Sequence, residues 1–134
     1  MSRAIRLLLT LAAGVMLGCA SPAGGDAEYG PKPADPTRIV QDYLRVQLKD
    51  PLSAQVQMRA VGRITTTRAS LLVPARYGWG ICADVNAKNA FGGYTGFKPV
   101  LVIWRAGAGV LEGWISNSAI EEAAAQAGCR HVGG

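Results

Sequence analysis

The sequence predicts an α+β domain, an antiparallel sheet of four to five strands flanked by an N-terminal helix and a short C-terminal helix. Three observations predict it. A segment with apolar residues at helical spacing opens the folded part, several period-two or wholly apolar runs follow, and an Ala-rich run behind a capping signal closes it.

The first helix begins at Asp35-Pro36, an N-cap residue followed by proline at the first helical position. Ile39, Val40, Tyr43, Leu44 and Leu48 then fall at spacings of one, three and four, which gives an amphipathic helix over 36–48. Lys49-Asp50-Pro51 ends it, because the residue before a proline is pushed out of the α region. From Ser53 to Val61 the chain alternates, with Ala54, Val56, Met58 and Ala60 on one side and Gln55, Gln57 and Arg59 on the other. That is the pattern of a half-buried strand. Residues 62–74 are β-branched in part but alternate poorly, and read as an exposed edge strand and a loop reaching Pro74.

Alternation returns at Tyr77. Tyr77, Trp79, Ile81, Ala83 and Val85 share one strand face, and Gly78, Gly80, Cys82, Asp84 and Asn86 share the other. Phe97 to Trp104 is apolar on both faces, as a central strand covered on both sides must be. Ala106 to Gly109 reads as a turn, with Val110 to Ile115 as the hairpin partner. Ser118-Ala-Ile-Glu121 matches a capping box, and Gly128 reads as the residue that stops the last helix, leaving Cys129 just past its end. The domain so predicted occupies 36–132, enough chain for one modest core.

The N-terminus has a different organisation. Arg3 and Arg6 precede an uncharged apolar stretch from Leu7 to Leu17, and no acidic residue comes before Cys19. A positive start, a short apolar run and small residues at its end are the layout of a secretory signal peptide, here 1–18. The run is too short to span a bilayer as a helix, which takes about 20 residues. Residues 19–35, rich in Pro and Gly, show neither period and read as an extended tether.

Met16-Leu17-Gly18-Cys19 resembles the lipobox of bacterial lipoproteins. The resemblance implies cleavage before Cys19 and a diacylglycerol-bearing thiol there, and several acyl chains hold a protein stably on a membrane. Ala20 and Ser21 follow with no Asp, which resembles the pattern directed to the outer membrane. The expected location is therefore the cell envelope, lipid-anchored and facing the periplasm. Loss of Arg3 and Arg6 leaves 12 basic residues against 9 acidic ones, so the formal charge falls from +5 to +3. The remaining basic residues are scattered singly, which disfavours a nucleic-acid partner.

With Cys19 assigned to lipid, two of the three cysteines remain in an oxidising compartment. Cys82 and Cys129 are expected to form a disulfide, helped by the glycines beside Cys82 that let the last helix approach. A redox-active pair is the alternative, though no C-x-x-C spacing supports it.

The stretch Val85-Asn-Ala-Lys-Asn-Ala-Phe-Gly-Gly-Tyr-Thr-Gly-Phe-Lys98 links two strands, either as a long loop or as an extended, bulged hairpin. Its functional reading is a recognition loop with Asn86, Lys88, Asn89, Tyr94 and Lys98 as polar groups and Phe91, Tyr94 and Phe97 as anchors; its structural reading is turn chemistry alone. No Gly-Lys-Ser/Thr follows, and no strand-to-helix turn carries a dinucleotide fingerprint. Lys49-Asp-Pro-Leu-Ser-Ala54, together with Val85-Asn-Ala-Lys-Asn-Ala-Phe-Gly-Gly-Tyr-Thr-Gly96, resembles a group of small, uncharacterised bacterial secreted proteins and lipoproteins. That resemblance implies a small exported domain and carries no mechanism.

Catalytic chemistry is poorly provided for. The one His, His131, sits near the C-terminus, and Asp84, Glu112 and Glu121 fall on separate predicted elements. No metal, cofactor or catalytic residue is predicted. The expected role is non-enzymatic, binding or supporting an envelope or wall-associated partner. The alternative is a small inhibitor of a wall-acting hydrolase that uses the 86–98 loop.

Overall fold

The computed structural model describes residues 29–66 and 76–132. The segment predicted as a signal peptide, Cys19 and most of the predicted tether lie outside them, as does most of the predicted loop to Pro74. Helix α1 (Pro36–Gln47) is followed by a 3-10 turn (Pro51–Ser53), strands β1 (Gln55–Thr65), β2 (Tyr77–Lys88), β3 (Tyr94–Arg105) and β4 (Gly109–Ile115), and helix α2 (Ala119–Val132). The strands form one antiparallel sheet in the order β1-β2-β3-β4. The α+β class and the helix–sheet–helix order are as the sequence predicts.

The helices take opposite faces of the sheet. On one face Val40 and Leu44 of α1 meet Ile81, Ala83, Val85, Val100 and Val102, with the side of Trp104 packed against them. On the other, Ala125, Cys129 and Val132 of α2 meet Cys82, Leu101 and Ile103. β2 and β3 thus feed a core on each side, which is why their central residues are wholly buried. Each such aliphatic side chain contributes about 1.5–3 kcal/mol on leaving water.

Local signals set the helix starts. Asp35 accepts from the Arg38 amide at 2.9 Å, and the Ser118 hydroxyl accepts from the Glu121 amide at 3.2 Å. The Glu121 carboxylate accepts from Asn117 N–H at 3.1 Å, one residue before the amide a capping box uses.

Three expectations are corrected. First, β1 is one strand where the sequence reads two pieces. A bulge between Met58 and Ala60 breaks its alternation, so Val56 and Met58 pair with Val85 and Ala83, whereas Ala60 pairs with Cys82. Ala60 therefore joins the α2 face, and Val61 takes its place on the α1 face. Second, α2 does not stop at Gly128 but runs through Cys129 and His131. A Cβ on Gly128 would collide with the Leu101 side chain, so this glycine serves close packing inside the helix. Third, the folded unit begins before residue 36. Pro33 is buried, and Trp79 Nε1 donates to the Gly30 carbonyl at 3.0 Å. The end of the predicted tether is thus part of the domain.

Cys82 and Cys129 stand at disulfide distance, with Cα atoms 5.6 Å apart. The bridge ties the C-terminal half of α2 to β2. The approach is open because the facing positions lack side chains: a Cβ on Gly62 would lie 2.6 Å from the Val132 carbonyl oxygen, and one on Gly80 would overlap the Val132 side chain.

Candidate functional site

The stretch between β2 and β3 is an extended hairpin, bulged between Asn86 and Lys88. Its tip is closed by one side chain. Asn89 Oδ1 accepts from the amides of Phe91 and Gly93, both at 3.0 Å. The Asn89 backbone closes the same turn, donating to Gly93 O at 2.8 Å and accepting from Gly92 N at 3.0 Å. Gly92 has φ +84°, a left-handed value that other residues adopt only with strain.

Lower in the hairpin, Asn86 Oδ1 accepts from Gly96 N–H at 2.9 Å, and Thr95 Oγ1 donates to Ala87 O at 3.3 Å. Asn86 and Asn89 are hence spent on bracing the hairpin. The polar recognition set read from the sequence contracts accordingly: both amide side chains hold the backbone in shape.

Other bonds join the hairpin to the turn after α1. Tyr94 O–H donates to Ser53 O at 3.0 Å. Lys88 Nζ lies 3.9 Å from the Asp50 carboxylate and 5.5 Å from the centre of the Tyr94 ring. Asn86 Nδ2 donates to Gln55 Oε1 at 3.3 Å. The segments Lys49–Ala54 and Val85–Gly96, more than thirty residues apart in the chain, meet at one end of the sheet. Sequence reasoning named the second as a site and the first only as a motif. The missing partners, Asp50, Ser53 and Gln55, left no periodic trace because their contacts are long-range.

The meeting point presents apolar groups to water. Phe91 is 96% exposed at the tip and Leu52 90% exposed in the 3-10 turn, with Tyr94 and Phe97 about half exposed. Lys98 borders a cleft of about 270 Å³ shared with Lys88, Asn89, Thr95 and Asn117. Exposed apolar side chains mark a contact surface where they form one contiguous patch.

Several titratable groups stand in ion pairs. Asp84 is 3.5 Å from Arg59, and Arg76, 3.8 Å from Glu112, also donates to Leu111 O. His131, in the last turn of α2, borders a groove with the Arg76–Glu112 pair. Tyr43 has its pKa raised above 10.0 by burial and, secondarily, by the Glu121 charge. Among the described residues no cluster of His, Cys, Asp and Glu has the makings of a metal site, and no helix is long and apolar enough to cross a membrane. Compared with family models, with curated proteins and with solved structures, the chain matches none.

Proposed function

We propose that this protein is a lipid-anchored envelope lipoprotein whose domain binds a periplasmic or wall-associated partner through the hairpin tip, without catalysing a reaction. The observation that carries the reading is the convergence of the two motif segments into a braced support that leaves Phe91 and Leu52 in water. A braced hairpin loses little conformational freedom on binding, so its contact area goes into affinity. The anchor is supported by the lipobox-like Met16–Cys19 and the signal layout before it. The pairing of Cys82 with Cys129 accords with an oxidising compartment.

The same rigidity favours a second reading, insertion of the tip into the cleft of a wall-acting hydrolase as an inhibitor. Two measurements test these readings. The mass of the mature chain, with and without Cys19→Ser, reports acylation; an unmodified Cys19 overturns the anchor. Partner capture by wild type, Phe91→Ala and Leu52→Ala reports the tip; capture unchanged in both variants overturns tip recognition. Slower clearing of cell walls by a hydrolase in the presence of the wild-type domain selects the inhibitor reading.

A further inference from the structure

The segment before α1 docks at the end of the sheet opposite the hairpin tip. Tyr29 O–H and Thr65 Oγ1 are 2.8 Å apart. The Tyr29 ring meets Tyr77 edge-on at 5.7 Å, and the Arg63 guanidinium lies 5.5 Å from the Tyr29 ring centre and 5.8 Å from that of Trp79. Thr65 pairs with Tyr77 at one end of the β1–β2 ladder, and Gln55 pairs with Asn86 at the other. A strand the length of β2, 12 residues, spans about 40 Å. Tyr29 lies at the Thr65–Tyr77 end of the ladder and Phe91 beyond the Lys88 end, so the length of β2 sets the scale of their separation.

Only residues 20–28 lie between Cys19 and this docking point. Ten Cα-to-Cα steps reach at most about 36 Å however the chain runs. A lipid on Cys19 therefore keeps Tyr29 within that distance of the headgroups. The charge on this end of the sheet is complementary to an anionic surface. Arg63, Arg76 and Arg105 fall on its last rungs, with Lys32 exposed in the docked segment, against Asp35 and Glu112, the latter 3.8 Å from Arg76. At the tip end the charges balance, Lys49, Arg59, Lys88 and Lys98 against Asp50, Asp84, Glu121 and Glu122. A basic surface brought near headgroups by a first anchor gains from a second, electrostatic one.

We infer that the Tyr29 end of the sheet is a bilayer-contacting surface for anionic headgroups, and that the domain stands on the membrane with the hairpin tip outward. This rests on the lipid anchor proposed above. It adds an orientation: the partner of Phe91 is met on the side away from the bilayer, about one sheet length above it.

The test uses the full-length acylated protein in vesicles, with single nitroxide labels at Ala108→Cys, in the turn at the Tyr29 end, and at Phe91→Cys. Vesicles carry a headgroup-chelated nickel lipid, in either phosphatidylglycerol-containing or pure phosphatidylcholine bilayers. The expected result is relaxation of the label at 108 at least several-fold stronger than at 91, greater with phosphatidylglycerol and reduced by Lys32→Gln with Arg105→Gln. Equal relaxation at the two sites, or indifference to anionic lipid, overturns the inference. The mass of the reconstituted chain separates the two failures: an unacylated chain overturns the anchor itself, whereas an acylated chain with the tip at the headgroups overturns the orientation alone.

Discussion

Trp79 Nε1 donates to the carbonyl of Gly30 at 3.0 Å, a hydrogen bond that joins the segment before α1 to the central strand β2 across 49 residues. It turns a face that alternation marks as aromatic into a seat for the chain's own N-terminal segment. Tyr29, Arg63 and Tyr77 complete that seat.

Trp79→Phe keeps most of the ring and removes the donor. The expected loss is about 0.5–1.5 kcal/mol of stability, with faster amide exchange at Gly30 and Lys32 than in wild type. Unchanged exchange there would show that the segment is held by other contacts.

The Tyr43 ring lies over Gly113 so closely that a Cβ there would come 2.6 Å from the phenol oxygen and overlap the ring. Gly113→Ala must displace the Tyr43 ring from its seat on β4, at an expected loss of about 1–3 kcal/mol. Urea unfolding measures it. Adding Tyr43→Leu recovers part of the loss, since contacting residues couple in a double-mutant cycle; strict additivity of the two changes would refute the clash.

Cys82→Ser with Cys129→Ser opens a link 47 residues long in sequence. In the chain-entropy account that link is worth about 4 kcal/mol. The double variant, and wild type under reductant, are expected to unfold at a clearly lower temperature, with α2 exchanging first. Equal melting in both states would assign the stability of α2 to packing.

Tyr43 also predicts a pH dependence. Burial, then the Glu121 charge, raises its folded-state pKa above 10.0, so the folded chain holds the phenol proton more tightly than the unfolded one. The stabilising contribution is complete below pH 10 and is lost as pH rises through the folded-state value. Tyr43→Phe is expected to lessen this alkaline decline in stability, measured by urea unfolding at pH 9 and at successive points above 10. An identical slope in the variant would place the titration elsewhere.

Much of this fold is written in short-range chemistry. The caps at Asp35 and Ser118, the proline after Asp50, the two-sided apolar run of β3 and the alternation of β2 each act through neighbours within a few residues, so the sequence reveals them directly. The bulge at Arg59 was hidden because one extra residue reverses every later side chain without altering composition. Gly128 reads as a helix stop because glycine is shared by helix ends and by close packing, and only the position of Leu101 separates the two. Within the candidate site, the hairpin and its residues were legible, but the division of labour among them was not. Asn86 and Asn89 brace, and Phe91 projects, a distinction that resides in hydrogen-bond partners.

By itself the sequence determined the α+β class and the helix–sheet–helix order, while the expected pairing of Cys82 with Cys129 came from setting Cys19 aside on the lipobox resemblance. Periodicity and caps suffice for the class and the order. Tertiary structure alone decided that the Lys49–Ala54 and Val85–Gly96 segments share one end of the sheet, and that Tyr29 and Gly30 close the other. These contacts join residues dozens of positions apart, and their energy comes from burial and pairing that exist only after the sheet has set its register.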